Sequence, residues 1–243
     1  MPSIQKMRIE KLEFEVDGLT LRGRLYQPAG EPKAAILFLH GWTGMPNEDA
    51  AEFLMNKGYA SLAFSLSGHN DSDGRLEEQT RKESMEEALA AYDLLRSKTE
   101  SKIVAVGNSY GGYLACLLAA ERSLAGLSLR VPANYKDENY DQKQLGQGHE
   151  GSGVTEWRQE KLDYKTTKSL RSLHEFKGPV QIIEAAEDEI VPHQTVQNYV
   201  DAINDKEQLE YHLMPGWTHS LGVEEARLKQ FRELLLNWLE QKI

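Results

Sequence analysis

A single cysteine, Cys116, occurs in 243 residues, so no internal disulfide can form. Packing has to hold the fold, which is compatible with a reducing compartment, and a cytoplasmic location is expected. Long apolar runs are also missing. The strongly hydrophobic stretches are strand-length or interrupted, which predicts no membrane span. The opening Met1-Pro2-Ser3-Ile4-Gln5-Lys6-Met7-Arg8 lacks the apolar core of a secretory signal, and none is expected. Positive charge is in deficit: 28 Lys+Arg against 38 Asp+Glu give a formal net charge of −10. An acidic surface disfavours nucleic acid and anionic membranes as partners. There is no internal repeat and no low-complexity tract.

What remains is a globular composition, 40% hydrophobic with ten tyrosines. A chain of this length buries most of its apolar surface without staples, and one domain over residues 1–243 is expected. The alternation Leu12-Glu13-Phe14-Glu15-Val16 predicts a half-exposed strand. Asp17-Gly18 is a hairpin turn signal, and residues 19–26 form the antiparallel return. The texture then changes. Ala34-Ala35-Ile36-Leu37-Phe38-Leu39 is continuously apolar, as a strand buried on both faces must be. Residues 60–66, 103–106 and 180–183 repeat that texture, and 126–129 do so more weakly.

Helical patterns alternate with these strands at residues 49–57, 84–96, 110–121, 193–203 and 224–240. Ser84 with Glu87 three residues later reads as a capping box for the second. The expected fold is α/β, a mainly parallel sheet with an N-terminal antiparallel hairpin and helices on both faces. Residues 134–163 break the rhythm, being polar, Gly- and Gln-rich and aperiodic. Tyr135, Tyr140 and Trp157 favour an ordered lid over a loose loop, because aromatics need something to pack on. The whole insertion, with its flanks, is placed at about residues 132–178.

Gly107-Asn108-Ser109-Tyr110-Gly111 follows an apolar strand and opens a helix. That is the context in which G-x-S-x-G forms a nucleophile elbow, with small residues letting the chain pass closely. A serine hydroxyl needs a base. His219 is well placed, between the strand-like residues 209–214 and the final helix, whereas His212, His174, His149 and His193 fit worse. The acid that orients the base is expected in Ala185-Ala186-Glu187-Asp188-Glu189-Ile190-Val191-Pro192. Asp188 is chosen, with Glu187 and Glu189 as rivals. These carboxylates are consecutive and have no histidine cluster beside them, so no metal site is expected. Oxyanion donors should be the backbone N–H of Tyr110 and that of Trp42, in the loop His40-Gly41-Trp42-Thr43-Gly44.

Together, Leu37 to Trp42, Gly107 to Gly111, Asp188 with Val191-Pro192, and His219 resemble the α/β-hydrolase superfamily over nearly the whole chain. The His-Gly-aromatic-Thr-Gly loop is similar to that of small bacterial carboxylesterases related to feruloyl and cinnamoyl esterases. The resemblance implies a Ser109–His219–Asp188 triad, with Trp42 and Tyr110 as oxyanion donors. It also implies ester hydrolysis through an acyl-enzyme, with no cofactor. Ser65-Leu66-Ser67-Gly68-His69-Asn70-Asp71-Ser72 departs from the family's Asp-x-x-Gly-His-Gly-x-Ser segment at Ser65 and Asn70. The expected partner is a small ester, favouring short-chain or aryl acyl groups because the lid lacks an apolar face; a homodimer stays open. A thioesterase or peptidase using the same residues is the alternative, as is a non-catalytic ligand-binding member of the fold. Ser109 speaks against a dehalogenase or epoxide hydrolase, which needs a carboxylate there.

Overall fold

The computed structural model describes residues 6–144, 154–222 and 224–243. Thus residues 145–153 of the expected lid, with His149, lie outside the described residues, as does the start of the segment judged to lack a signal. Eight strands form one sheet: β1 Arg8–Val16, β2 Leu19–Gln27, β3 Ala35–Leu39, β4 Ala60–Phe64, β5 Ile103–Asn108, β6 Gly126–Arg130, β7 Val180–Ala185 and β8 Leu209–Met214. Their order is β1-β2-β4-β3-β5-β6-β7-β8. β1 and β2 are antiparallel, and β2 joins β4 antiparallel. The strands from β4 to β8 run parallel. Asp17 and Gly18 both hold positive φ, as the two-residue hairpin requires. The central strands β3 to β7 are buried throughout, matching their unbroken apolar runs.

Helices cover both faces. α1 (Glu48–Met55) and α7 (Glu225–Lys242) pack on one side, where Leu54, Phe231, Leu235 and Trp238 meet Ile36, Phe38 and Val104. On the other side lie α2 (Arg81–Lys98), α3 (Tyr110–Glu121), α5 (Lys168–Glu175) and α6 (His193–Ala202). There Leu95, Leu114, Leu170 and Tyr199 close over Leu37, Ala105 and Leu127. Between β6 and α5 the short helix α4 (Val154–Arg158) sits in the insertion.

Two local readings need correction. α2 begins at Arg81 rather than residue 84, and its capping box is Thr80 with Glu83. Thr80 Oγ1 accepts from Glu83 N at 3.1 Å, and Glu83 Oε2 accepts from Thr80 N at 2.8 Å. The same spacing recurs at Ser84 and Glu87, but Ser84 turns its hydroxyl to the Thr80 carbonyl inside the helix, and Glu87 is buried. Pattern alone does not choose between two adjacent boxes; the turn entering the helix does. α5 was not anticipated either. Its Lys-Ser-Leu-Arg-Ser-Leu-His-Glu has two large apolar residues, and it is held by burying Leu170 and Leu173, each with the serine before it.

Candidate active site

β5 ends at Asn108, and the chain turns at once into α3. Ser109 makes that turn with φ 51° and ψ −112°, a conformation that costs a non-glycine residue energy. Glycines on either side permit it. A Cβ on Gly107 would lie 2.3 Å from the Gly111 oxygen, and one on Gly111 would lie 1.9 Å from the Leu39 oxygen. The Ser109 amide donates to Arg130 O at 2.9 Å, and its carbonyl accepts from Gly112 N and Ala133 N at 2.9 and 3.1 Å. The side chain is thereby set where the free amides of the α3 N-terminus point.

The loop after β3 abuts this turn: a Cβ on Gly41 would be 3.4 Å from both Asn108 O and Ser109 Cβ. Gly44 N donates to Gly41 O at 2.8 Å, closing the loop, and Thr43 takes φ 56°. Two histidines brace it. His40 Nε2 accepts from Leu66 N at 3.0 Å, while its Nδ1 donates to Gly41 O at 2.7 Å. His69 Nε2 accepts from Thr43 N at 3.2 Å, and its Nδ1 donates to Ser67 O at 2.9 Å. Each acceptor role requires a neutral ring. Burial pushes His40 down to about 4, helped by His69, and lowers His69 as well. Trp42, half-buried, sets its ring edge-on to His69 and to Tyr110, at 5.3 and 5.6 Å between centroids.

At the departures from the family pattern, Asn70 adopts φ 47° and donates Nδ2 to Ser65 Oγ and Gly44 O, both at 3.2 Å. Asn tolerates this left-handed conformation better than most residues with a side chain, and the Ser65 hydroxyl meets it.

Asp188 lies in the loop after β7 and His219 in the loop after β8. His219 Nδ1 meets Asp188 Oδ2 at 2.8 Å and Oδ1 at 3.0 Å. Asp188 Oδ1 also accepts from Ile190 N and Val191 N, both at 2.8 Å, which fixes the carboxylate. Glu187 and Glu189 are exposed, so the geometry separates Asp188 from its rivals. With Nδ1 donating to Asp188, Nε2 is left as the basic nitrogen.

Arg130, at the end of β6, was not anticipated. Its Nη1 donates to His219 O at 2.8 Å and its Nε to Asn108 Oδ1 at 3.2 Å. The side chain therefore ties the His219 loop to the residue before Ser109. Burial lowers its pKa to about 10, against the pull of Asp188. A charged residue closing an otherwise apolar strand was the available signal. Glu184, also buried, accepts from His193 Nδ1 at 2.6 Å and from the Tyr211 hydroxyl, joining β7, β8 and α6 around the Asp188 loop. Among the described residues no cluster of His, Cys, Asp and Glu could hold a metal ion. Nor is any helix among them long and apolar enough to cross a membrane.

The sheet, its antiparallel entry and the serine on the strand-to-helix turn define an α/β-hydrolase. More narrowly, the chain belongs to the prolyl oligopeptidase family, whose sequence model matches residues 48–243. A curated relative, the mitochondrial palmitoyl-protein thioesterase ABHD10 of Bos taurus, is 27% identical over 190 residues. That match covers 69% of this chain and 61% of the relative, so the chain spans less than two thirds of that protein's length. Est1E of Butyrivibrio proteoclasticus, solved with ferulic acid bound, superposes with a TM-score of 0.77 at 22% identity, covering 95% of this chain and 98% of that one. The acylaminoacyl peptidase of Pyrococcus horikoshii gives a TM-score of 0.72 at 17% identity, over 98% of this chain and 42% of that one. At these identities the likeness to solved structures is one of fold.

Proposed function

We propose that the protein is a serine carboxylesterase acting on short-chain or aryl esters, with Ser109 as nucleophile, His219 as base and Asp188 as the acid that orients it. His219 Nε2 takes the proton as Ser109 Oγ attacks the ester carbonyl. The backbone N–H groups of Tyr110 and Trp42 hold the developing oxyanion. The alcohol leaves with the proton from His219, and water then cleaves the acyl-enzyme by the same route. No cofactor is needed for this chemistry. The observation that carries the reading is the His219–Asp188 contact at 2.8 Å, made between loops at the same end of the sheet as the strained Ser109 turn. Thioester hydrolysis by the same residues is the second reading, favoured by the relative that is a palmitoyl-protein thioesterase.

The test is turnover of p-nitrophenyl esters from acetate to palmitate, with matched thioesters and anilides. We expect the highest kcat/KM on esters with acyl chains of about two to six carbons, because each methylene adds about 0.8 kcal/mol only while the pocket has room. Ser109→Ala should lower kcat by on the order of 10⁴ or more. A Ser109→Ala protein with native circular dichroism and undiminished turnover overturns the mechanism, and a thioester optimum moves the assignment to the second reading.

A further inference from the structure

Arg81, Arg130 and Arg158 are buried around the candidate site, and none forms an ion pair with a carboxylate among the described residues. Arg81 gives its two terminal nitrogens to Lys136 O and Glu138 O. Arg130 serves His219 O and Asn108. Arg158 differs. Its residue is 7% exposed, its Nε reaches Asn134 O at 3.3 Å, and its Nη2 has no partner among the described residues. A second donor beside it is equally unmet. Asn134 Oδ1 accepts from Tyr135 N, Thr167 Oγ1 and Ser169 Oγ at 2.9, 3.3 and 2.8 Å. The backbone donor fixes the amide's orientation, and Nδ2 is then a buried N–H without an acceptor among the described residues.

A buried neutral donor left unpaired is costly, and a buried guanidinium without an anion is costlier. The neighbours of the two donors contact the Ser109 turn. Ala133, one residue before Asn134, donates its N–H to Ser109 O at 3.1 Å. Tyr135, one residue after, sets its ring edge-on to Tyr110 at 5.6 Å, and the Arg158 guanidinium lies 5.0 Å from the Tyr135 ring. Thr195, in the first turn after the Asp188 loop, holds the Arg158 carbonyl at 2.7 Å. Backbone on both sides is thus pinned, and what the pair lacks among the described residues is an acceptor with negative charge.

We propose that Arg158 and Asn134 form an acid-recognising subsite, and that the preferred substrate is an ester bearing a carboxylate on its acyl or its alcohol part. Charge-assisted hydrogen bonds from the guanidinium, with the amide N–H beside it, would bind that group while Ser109 attacks the ester carbonyl. The inference rests on the serine-hydrolase reading above and deepens it by naming the substrate class.

The experiment compares kcat/KM for p-nitrophenyl hemisuccinate and hemiglutarate with p-nitrophenyl butyrate and valerate, and for 4-carboxyphenyl butyrate with phenyl butyrate. The first set reads an acid on the acyl part, the second an acid on the alcohol. Wild type is expected to prefer one acid-bearing ester at least tenfold, chiefly through KM. Arg158→Met should lower kcat/KM for that ester at least tenfold more than for its neutral counterpart. Arg158→Lys, which keeps the charge, should retain part of the preference, and it supplies the reading if the Met variant does not fold. Equal rates on acid-bearing and neutral esters in wild type overturn the proposal. So does a loss in Arg158→Met or Arg158→Lys that is the same for both. Failure of the hydrolase reading shows separately, as no turnover of any ester. In that case glutarate should still raise the Tm of the wild-type and Ser109→Ala proteins but not that of an Arg158 variant. Absence of any such shift overturns the subsite as well.

Discussion

Thr43, Asn70, Ser109 and Val131 all hold positive φ, and each lies just beyond the carboxyl end of a parallel strand, β3, β4, β5 and β6 in turn. For residues with a side chain this conformation costs about 1–3 kcal/mol each, and for the β-branched Val131 and Thr43 it is least expected. Strain gathered at one edge of the sheet marks the edge at which open α/β sheets bind ligands. At the same edge the side chain of Asp188 is held rigidly. Two backbone amides and His219 Nδ1 converge on one carboxylate. Asp188→Asn should therefore keep the fold but lower kcat by on the order of 10⁴, since the amide neither stabilises the imidazolium nor selects its tautomer. Glu187→Gln and Glu189→Gln, on exposed side chains, should stay near wild type. Steady-state kinetics on the three variants checks this, and a dead glutamine variant would move the acid.

Among the elements, α2 carries a lesson about adjacent signals. Thr80-Arg81-Lys82-Glu83 and Ser84-Met85-Glu86-Glu87 both fit the capping-box spacing, and the first one wins. The chain before it is fixed by tertiary contacts: Gln79 donates to Ser67 Oγ at 3.2 Å, and the Gln79 carbonyl accepts from Gln144 N at 3.0 Å. Thr80→Ala removes the acceptor for Glu83 N. It should cost about 1 kcal/mol, read as a lower urea midpoint at unchanged m-value, whereas Ser84→Ala loses no N-cap bond. Equal effects at both positions would contradict the observed start of α2. Displaced from the cap, Glu87 instead points under the sheet edge, where its Oε2 accepts from Ser67 N at 2.9 Å.

At the scale of the molecule, that buried carboxyl and His40 give stability a pH dependence of opposite signs. Burial raises Glu87 from 4.5 to about 7, so the folded state holds its proton where the unfolded chain has released it. Stability from this group is greatest at low pH, falls as pH rises from about 4.5 to about 7, and is then constant. His40 is lowered from 6.5 to about 4, so its contribution is intact above 6.5 and is lost as pH falls towards 4. Glu87→Gln should therefore raise Tm relative to wild type more at pH 8 than at pH 5. A difference that is the same at both pH values would show that Glu87 is not buried in its charged form. As pH falls through about 4, the loss of neutral His40 should also loosen the loop that carries Trp42, because His40 Nε2 can no longer accept from Leu66 N.

The sequence by itself determined the parallel strands, the hairpin and the helix following Ser109, because burial on one face or two leaves a period in the local pattern. It also singled out Ser109, through glycines that a local turn demands, and His219 and Asp188, through chain order and their positions after strands. It did not reach α5, whose polar residues are buried only once it docks on α3 and α6, nor the true start of α2. Asp188 was chosen from the sequence with Glu187 and Glu189 as rivals, and the tertiary structure separates it from them, because consecutive carboxylates differ only in which one the backbone turns inward. Arg130 and the His40–His69 brace belong to the tertiary structure too. Arg130 meets His219 across 89 positions, and His40 meets Leu66 across 26. Contacts of that span leave no local period. They exist once the sheet order has brought separate loops to one edge, and so only the folded chain decides which charges are paired there and which, as at Arg158 Nη2, meet no partner among the described residues.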